Sequence, residues 1–108
     1  METVYIPAAP TRADIDAGTG PVLLEFGANW CGHCRVAQAP LAEAYAAHPA
    51  VPHHKVEDGP GRALGRSFRV KLWPTLIFLR DGKEVARVVR PLEAREIADG
   101  FARIDPAG

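Results

Sequence analysis

The run Val22–Phe26, VLLEF, constrains this chain more than any other segment. Four of its five residues are apolar, on both alternations, so a strand here is covered on two faces rather than one. Such a strand calls for helices above and below its sheet, and the sequence that follows supplies them. Ala37, Leu41, Ala44, Tyr45 and His48 share one face of a 3.6-residue period. Pro40 should kink that helix, and Pro49 and Pro52 end it.

The rest of the chain alternates in the same way. Val4–Ile6, stopped by Pro7, reads as an edge strand, and Thr11–Ala17 as a helix capped by Thr11 and ended by Gly18. His53–Glu57 is a further strand. Gly59-Pro60-Gly61 turns the chain into a short helix through Phe68. Thr75–Leu79 is strongly apolar, Asp81-Gly82 is a two-residue hairpin signal, and Glu84–Arg90 returns antiparallel. Ala94, Ile97, Phe101 and Ile104 form the apolar face of a closing helix, weakened by Gly100. The predicted order is βαβαβαββα: an α/β chain with a central mixed sheet, helices on both faces, and residues 1–108 in one domain.

Charge narrows the function. Thirteen basic and thirteen acidic residues cancel, which argues against nucleic acid or an anionic membrane as partner. No apolar run nears the ~20 residues that span a bilayer. Met1–Ala9 has neither the basic nor the apolar region of a signal peptide, so a cytoplasmic location is expected.

The two cysteines form Trp30-Cys31-Gly32-His33-Cys34, where an apolar strand gives way to a helix. So close a pair closes almost no loop and adds little chain-entropy stabilisation, which leaves chemistry, a metal or chance as the reason for it. The first turn of a helix presents unpaired N–H groups and the positive end of the macrodipole. A thiolate is stabilised there and becomes a nucleophile, and a second cysteine three residues on can attack the mixed disulfide it forms. Zinc is the rival reading. Thirteen residues separate Cys34 from His48, and four separate His48 from His53, a bare finger spacing. Pro49 and Pro52 deny those histidines a shared helix turn, so no metal is expected.

With WCGHC after VLLEF, and Trp73-Pro74-Thr75 opening the later PTLIFLRDG segment, the chain resembles the thioredoxin family from about Pro21 to the closing helix. The resemblance implies a thioredoxin-like fold and dithiol chemistry, with Cys31 attacking and the more buried Cys34 resolving. It makes Pro74 the cis-proline whose loop, with Trp73 and Thr75, pairs with substrate backbone. It places Glu25 beneath the dithiol, exchanging protons with Cys34, and Lys55 beside that carboxylate. Glu25 is conspicuous on its own account, since a carboxylate in VLLEF is either desolvated or solvated at an edge. Burial would raise its pKa towards working pH, as a general base requires. Trp30 shields the site, and Gly32-His33, closer to protein disulfide isomerase than to the usual Gly-Pro, tunes its potential.

Four departures stand out against the family pattern: Pro40 falls one residue late, Gly27 replaces a bulky aromatic, Trp73 an aliphatic residue, and Arg90 a groove glycine. Trp73 is expected to cover what Gly27 leaves open. The function expected is exchange of disulfides with protein substrates, in the reducing direction. The chain would be a monomer without organic cofactor, fed by a donor such as a thioredoxin reductase or the glutathione system. An oxidant or isomerase, and a non-catalytic thioredoxin-fold binding module, are the alternatives.

Overall fold

In the computed structural model, which describes residues 1–106, eight elements follow one another. They are α1 (Arg12–Asp16), β1 (Pro21–Gly27), α2 (Gly32–Tyr45), β2 (His53–Glu57), α3 (Ala63–Ser67), β3 (Thr75–Arg80), β4 (Lys83–Val89) and α4 (Arg95–Ile104). The strands form one sheet in the order β2-β1-β3-β4. β1 runs parallel to β2 and antiparallel to β3, and β4 closes the edge antiparallel. The double coverage predicted for VLLEF is therefore met by a central position: Leu23, Leu24, Glu25 and Phe26 are all fully buried.

The pleat of β1 and β3 sends alternate residues into two cores. On one face Leu23, Leu76 and Phe78 pack under α2 and α4 through Leu41, Ala44, Ile97, Phe101 and Ile104. On the other, Leu24, Phe26, Ile77 and Leu79 meet Ile15 of α1 and Leu64 and Phe68 around α3. Thr11 caps α1 in a reciprocal box with Asp14, as its residue type demands. Asp81 and Gly82 both take positive φ, 52° and 78°, the twist that a two-residue hairpin between β3 and β4 requires.

The first predicted strand is the one element that fails to form as expected. Val4–Ile6 makes a single parallel bridge, Ile6 to Val56, through Ile6 N to Lys55 O at 3.1 Å and Glu57 N to Ile6 O at 2.9 Å. Its alternation is also inverted relative to hydrophobicity: Val4 and Ile6 are half exposed, and Tyr5 between them is buried. Pro7 cuts the run before a ladder can grow. Helix α2 continues through Pro40.

Candidate active site

Cys31 is the N-cap of α2, extended at φ −81° and ψ 120°, and its Sγ accepts the Cys34 N–H at 3.2 Å. The buried strand β1 delivers the chain to this point and the helix carries Cys34 one turn inward. Both thiols are free. Cys31 keeps 7% of its surface exposed and Cys34 1%, so the outer sulfur is the one a substrate can reach. Burial pushes the Cys34 thiol up to about 11, helped by its hydrogen bond with Cys31; the Ala28 backbone and the Tyr5 hydroxyl pull the other way. Gly32, His33 and Trp30 stand in solvent around the pair. Trp30, 71% exposed, meets Trp73 edge-on at 5.5 Å between ring centroids.

Beneath the dithiol, Glu25 is fully buried and surrounded by donors. His53 Nε2 lies 2.8 Å from Oε1, with the Glu2 amide donating to His53 Nδ1 at 3.1 Å. Oε2 accepts from the Tyr5 hydroxyl and from Gln38 Nε2 at 3.0 Å, with Lys55 Nζ 3.5 Å away. Lys55 also donates to Gln38 Oε1 at 2.7 Å and lies over the Tyr5 ring at 4.2 Å. This corrects the expectation of a raised carboxyl pKa. Burial does push Glu25 up, but His53, the Lys55 charge, Tyr5 and Gln38 outweigh it and hold the group below the usual carboxylate range.

The third side of the site is the segment before β3. The Trp73–Pro74 bond is cis, Pro74 and Thr75 are buried, and Thr75 Oγ1 donates to Leu72 O at 2.6 Å. Trp73 packs against the cluster formed by Cys31, Cys34, Tyr5 and Ala28, and its indole N–H donates to Asp58 at 2.8 Å.

The chain is similar to known proteins over nearly all its length: a family model for thioredoxin matches residues 4–103. The chain belongs to the thioredoxin family. Thioredoxin of Mycolicibacterium smegmatis is 34% identical over 107 residues, covering 92% of this chain and 95% of the relative. Thioredoxin of Mycobacterium tuberculosis is 36% identical over 91 residues, with 81% and 76% covered. Among solved structures, reduced thioredoxin 2 from Pseudomonas aeruginosa superposes with a TM-score of 0.87 at 56% identity, over 100% of both chains. A thioredoxin with a neighbouring cysteine pair is a thiol–disulfide oxidoreductase.

Set within the thioredoxin pattern, three of the four departures acquire physical causes. Tyr5, not Trp73, occupies the room left by Gly27: a Cβ there would lie 2.6 Å from Cys34 Sγ and 2.8 Å from the Tyr5 hydroxyl oxygen. Trp73 covers the neighbouring flank instead. Arg90 holds φ at 51°, a conformation that favours glycine, and its Nε donates to Trp73 O at 2.9 Å. The finger-like quartet does not come together. His48 faces Asp105 at 3.0 Å and His53 faces Glu25, and among the described residues no group of three or more such side chains could hold a metal ion.

Sequence reasoning located Cys31, Cys34, Glu25, Lys55 and the Trp73-Pro74-Thr75 turn within this site, passed over Tyr5 and Gln38, and weighed His53 only as a zinc ligand. A tyrosine as the inward residue of Val4–Ile6 was the available signal for the first, since a buried phenol needs a partner. Gln38 stands one turn beyond Cys34 on the same helix face, and its Nε2 donates to Cys34 O at 2.8 Å.

Proposed function

We propose that the chain reduces disulfides in protein substrates through Cys31 and Cys34. The observation that carries this is the placement of an outer sulfur at a helix start, one turn from an inner thiol above a buried carboxylate. Cys31, as thiolate, attacks one substrate sulfur; the other leaves as a thiolate and takes a proton from water. Cys34 then loses its proton and attacks the Cys31 sulfur, which releases the second substrate sulfur as a thiolate and closes Cys31–Cys34. Glu25 is the ultimate proton acceptor, and Lys55 keeps it ionised. Trp73, Pro74 and Thr75 line the groove that holds substrate backbone, while Trp30 and Gly32 border it. No metal or organic cofactor enters the cycle. A thioredoxin reductase or the glutathione system returns the electrons, to a monomer working in the cytoplasm.

A second direction, oxidation or isomerisation, is favoured by His33 alone, whose ring is exposed between the cysteines where a positive charge would stabilise the reduced pair. The equilibrium of Cys31–Cys34 with glutathione separates the two directions: a potential near that of thioredoxins supports the reductase, and one near disulfide isomerases supports the other. The chemistry itself is tested by Cys34→Ser, which should trap covalent substrate complexes where Cys31→Ser traps none. Insulin reduction surviving in either variant overturns it.

A further inference from the structure

Glu25 does not touch the thiol it is to serve. Both of its oxygens are taken by donors, from Tyr5, Gln38, His53 and Lys55, and Cys34 Sγ is not among its partners. Among these four donors, one that carries the Cys34 proton to the carboxylate must also meet the sulfur. Tyr5 is the member of that set packed against the Cys34 side chain. Gln38 meets Cys34 at its carbonyl, His53 turns its second ring nitrogen to the Glu2 amide, and Lys55 is engaged with Gln38 and Glu25. A hydroxyl is also able to accept one proton while donating another, which an amide NH2 or an ammonium cannot do. Gly27 makes the contact possible, because any side chain there would fill the space that the sulfur and the phenol oxygen share.

Resting on the reductase cycle above, we propose that Tyr5 is a catalytic residue, passing the Cys34 proton to Glu25 as the mixed disulfide is resolved. The Cys34 S–H proton moves to the Tyr5 oxygen while the Tyr5 proton moves to Glu25 Oε2. Cys34 gains the electron pair that forms its bond to the Cys31 sulfur, and the Cys31–substrate bond breaks towards the departing thiolate. Tyr5 is a neutral phenol before and after. Burial, Glu25 and Cys34 all push its own ionisation far upward, so it does not rest as a phenolate. Because four donors make Glu25 a weak base, the transfer accompanies sulfur attack rather than preceding it. The ionisable groups that face the relay are Glu25 on β1, Cys34 and Arg35 on α2 with Cys31 at its N-cap, and Lys55 and His53 on β2.

The test is a single-turnover reaction of the reduced protein with a disulfide-linked peptide, quenched in acid at intervals, with the mixed disulfide quantified by mass. In Tyr5→Phe, decay of that intermediate at neutral pH should slow about a hundredfold, within the range for a lost general base. Its rate should become proportional to hydroxide, where the unaltered protein is flat. Glu25→Gln should show the same slope, and Tyr5→Phe/Glu25→Gln should be no slower than either single change. Decay of the intermediate in Tyr5→Phe at the unaltered rate and with a flat pH profile overturns the relay, as do single effects that multiply in the double variant. Either result leaves the dithiol cycle standing if Cys34→Ser still traps substrate; a Cys34→Ser variant that traps nothing overturns the cycle itself. Far-UV circular dichroism of each variant separates a lost relay from a lost fold.

Discussion

At the scale of single residues, the site is a contest over one buried carboxylate. Its folded pKa lies below the unfolded value of about 4.3, so its ionised form stabilises the fold above that pH, and the contribution is lost as pH falls through the lower, folded value. Glu25→Gln should accordingly cost about 3 kcal/mol at neutral pH, because Lys55 is left buried without its counter-charge. Urea titrations should show that deficit shrinking below pH 4. Tyr5 and Gly27 form a second residue-scale unit. Gly27→Ala should destabilise by about 2 kcal/mol through crowding of sulfur and phenol, and less in a Tyr5→Ala background, where only the sulfur still crowds the new methyl. Both differences are readable from denaturation midpoints. The cysteines and Glu25 were legible in the sequence because each breaks a local pattern: a spaced pair at a helix start, and a charge inside an apolar strand. His53 and Tyr5 were not, because their link to Glu25 spans 28 and 20 residues and depends on a sheet register that no local pattern carries.

At the scale of elements, periodicity was a sound guide wherever a segment is buried. VLLEF and TLIFL became central strands, and the hairpin formed at its Asp-Gly pair. It misled at Val4–Ile6, an edge segment too short to be held by more than one bridge. Gly100 shows a different limit. Helix propensity reads it as a weakness in α4, worth up to about 1 kcal/mol against alanine. In the folded chain a Cβ at this position would lie 2.7 Å from Phe78 Cζ, inside a fully buried ring, so the glycine admits that ring to the core. Crowding costs typically 1–3 kcal/mol and outweighs the propensity gain. Gly100→Ala should therefore lower stability by about 1 kcal/mol, seen as a lower urea midpoint with an unchanged slope. An increase in midpoint would show that Phe78 yields.

At the scale of the whole molecule, β1 and β3 contribute to both cores, so neither face can melt and leave the other intact. Unfolding followed by tryptophan fluorescence, which reports on Trp30 and Trp73 at one end of the sheet, should coincide with far-UV circular dichroism. Separate midpoints would show the two faces to be independent. The same economy does not extend to residues 1–6. They reach the sheet by one bridge and yet bring in the phenol under the dithiol and the amide that orients His53. A chain shortened by those six residues would thus retain both thiols and pass for intact by any count of sulfurs, while lacking the phenol beneath them.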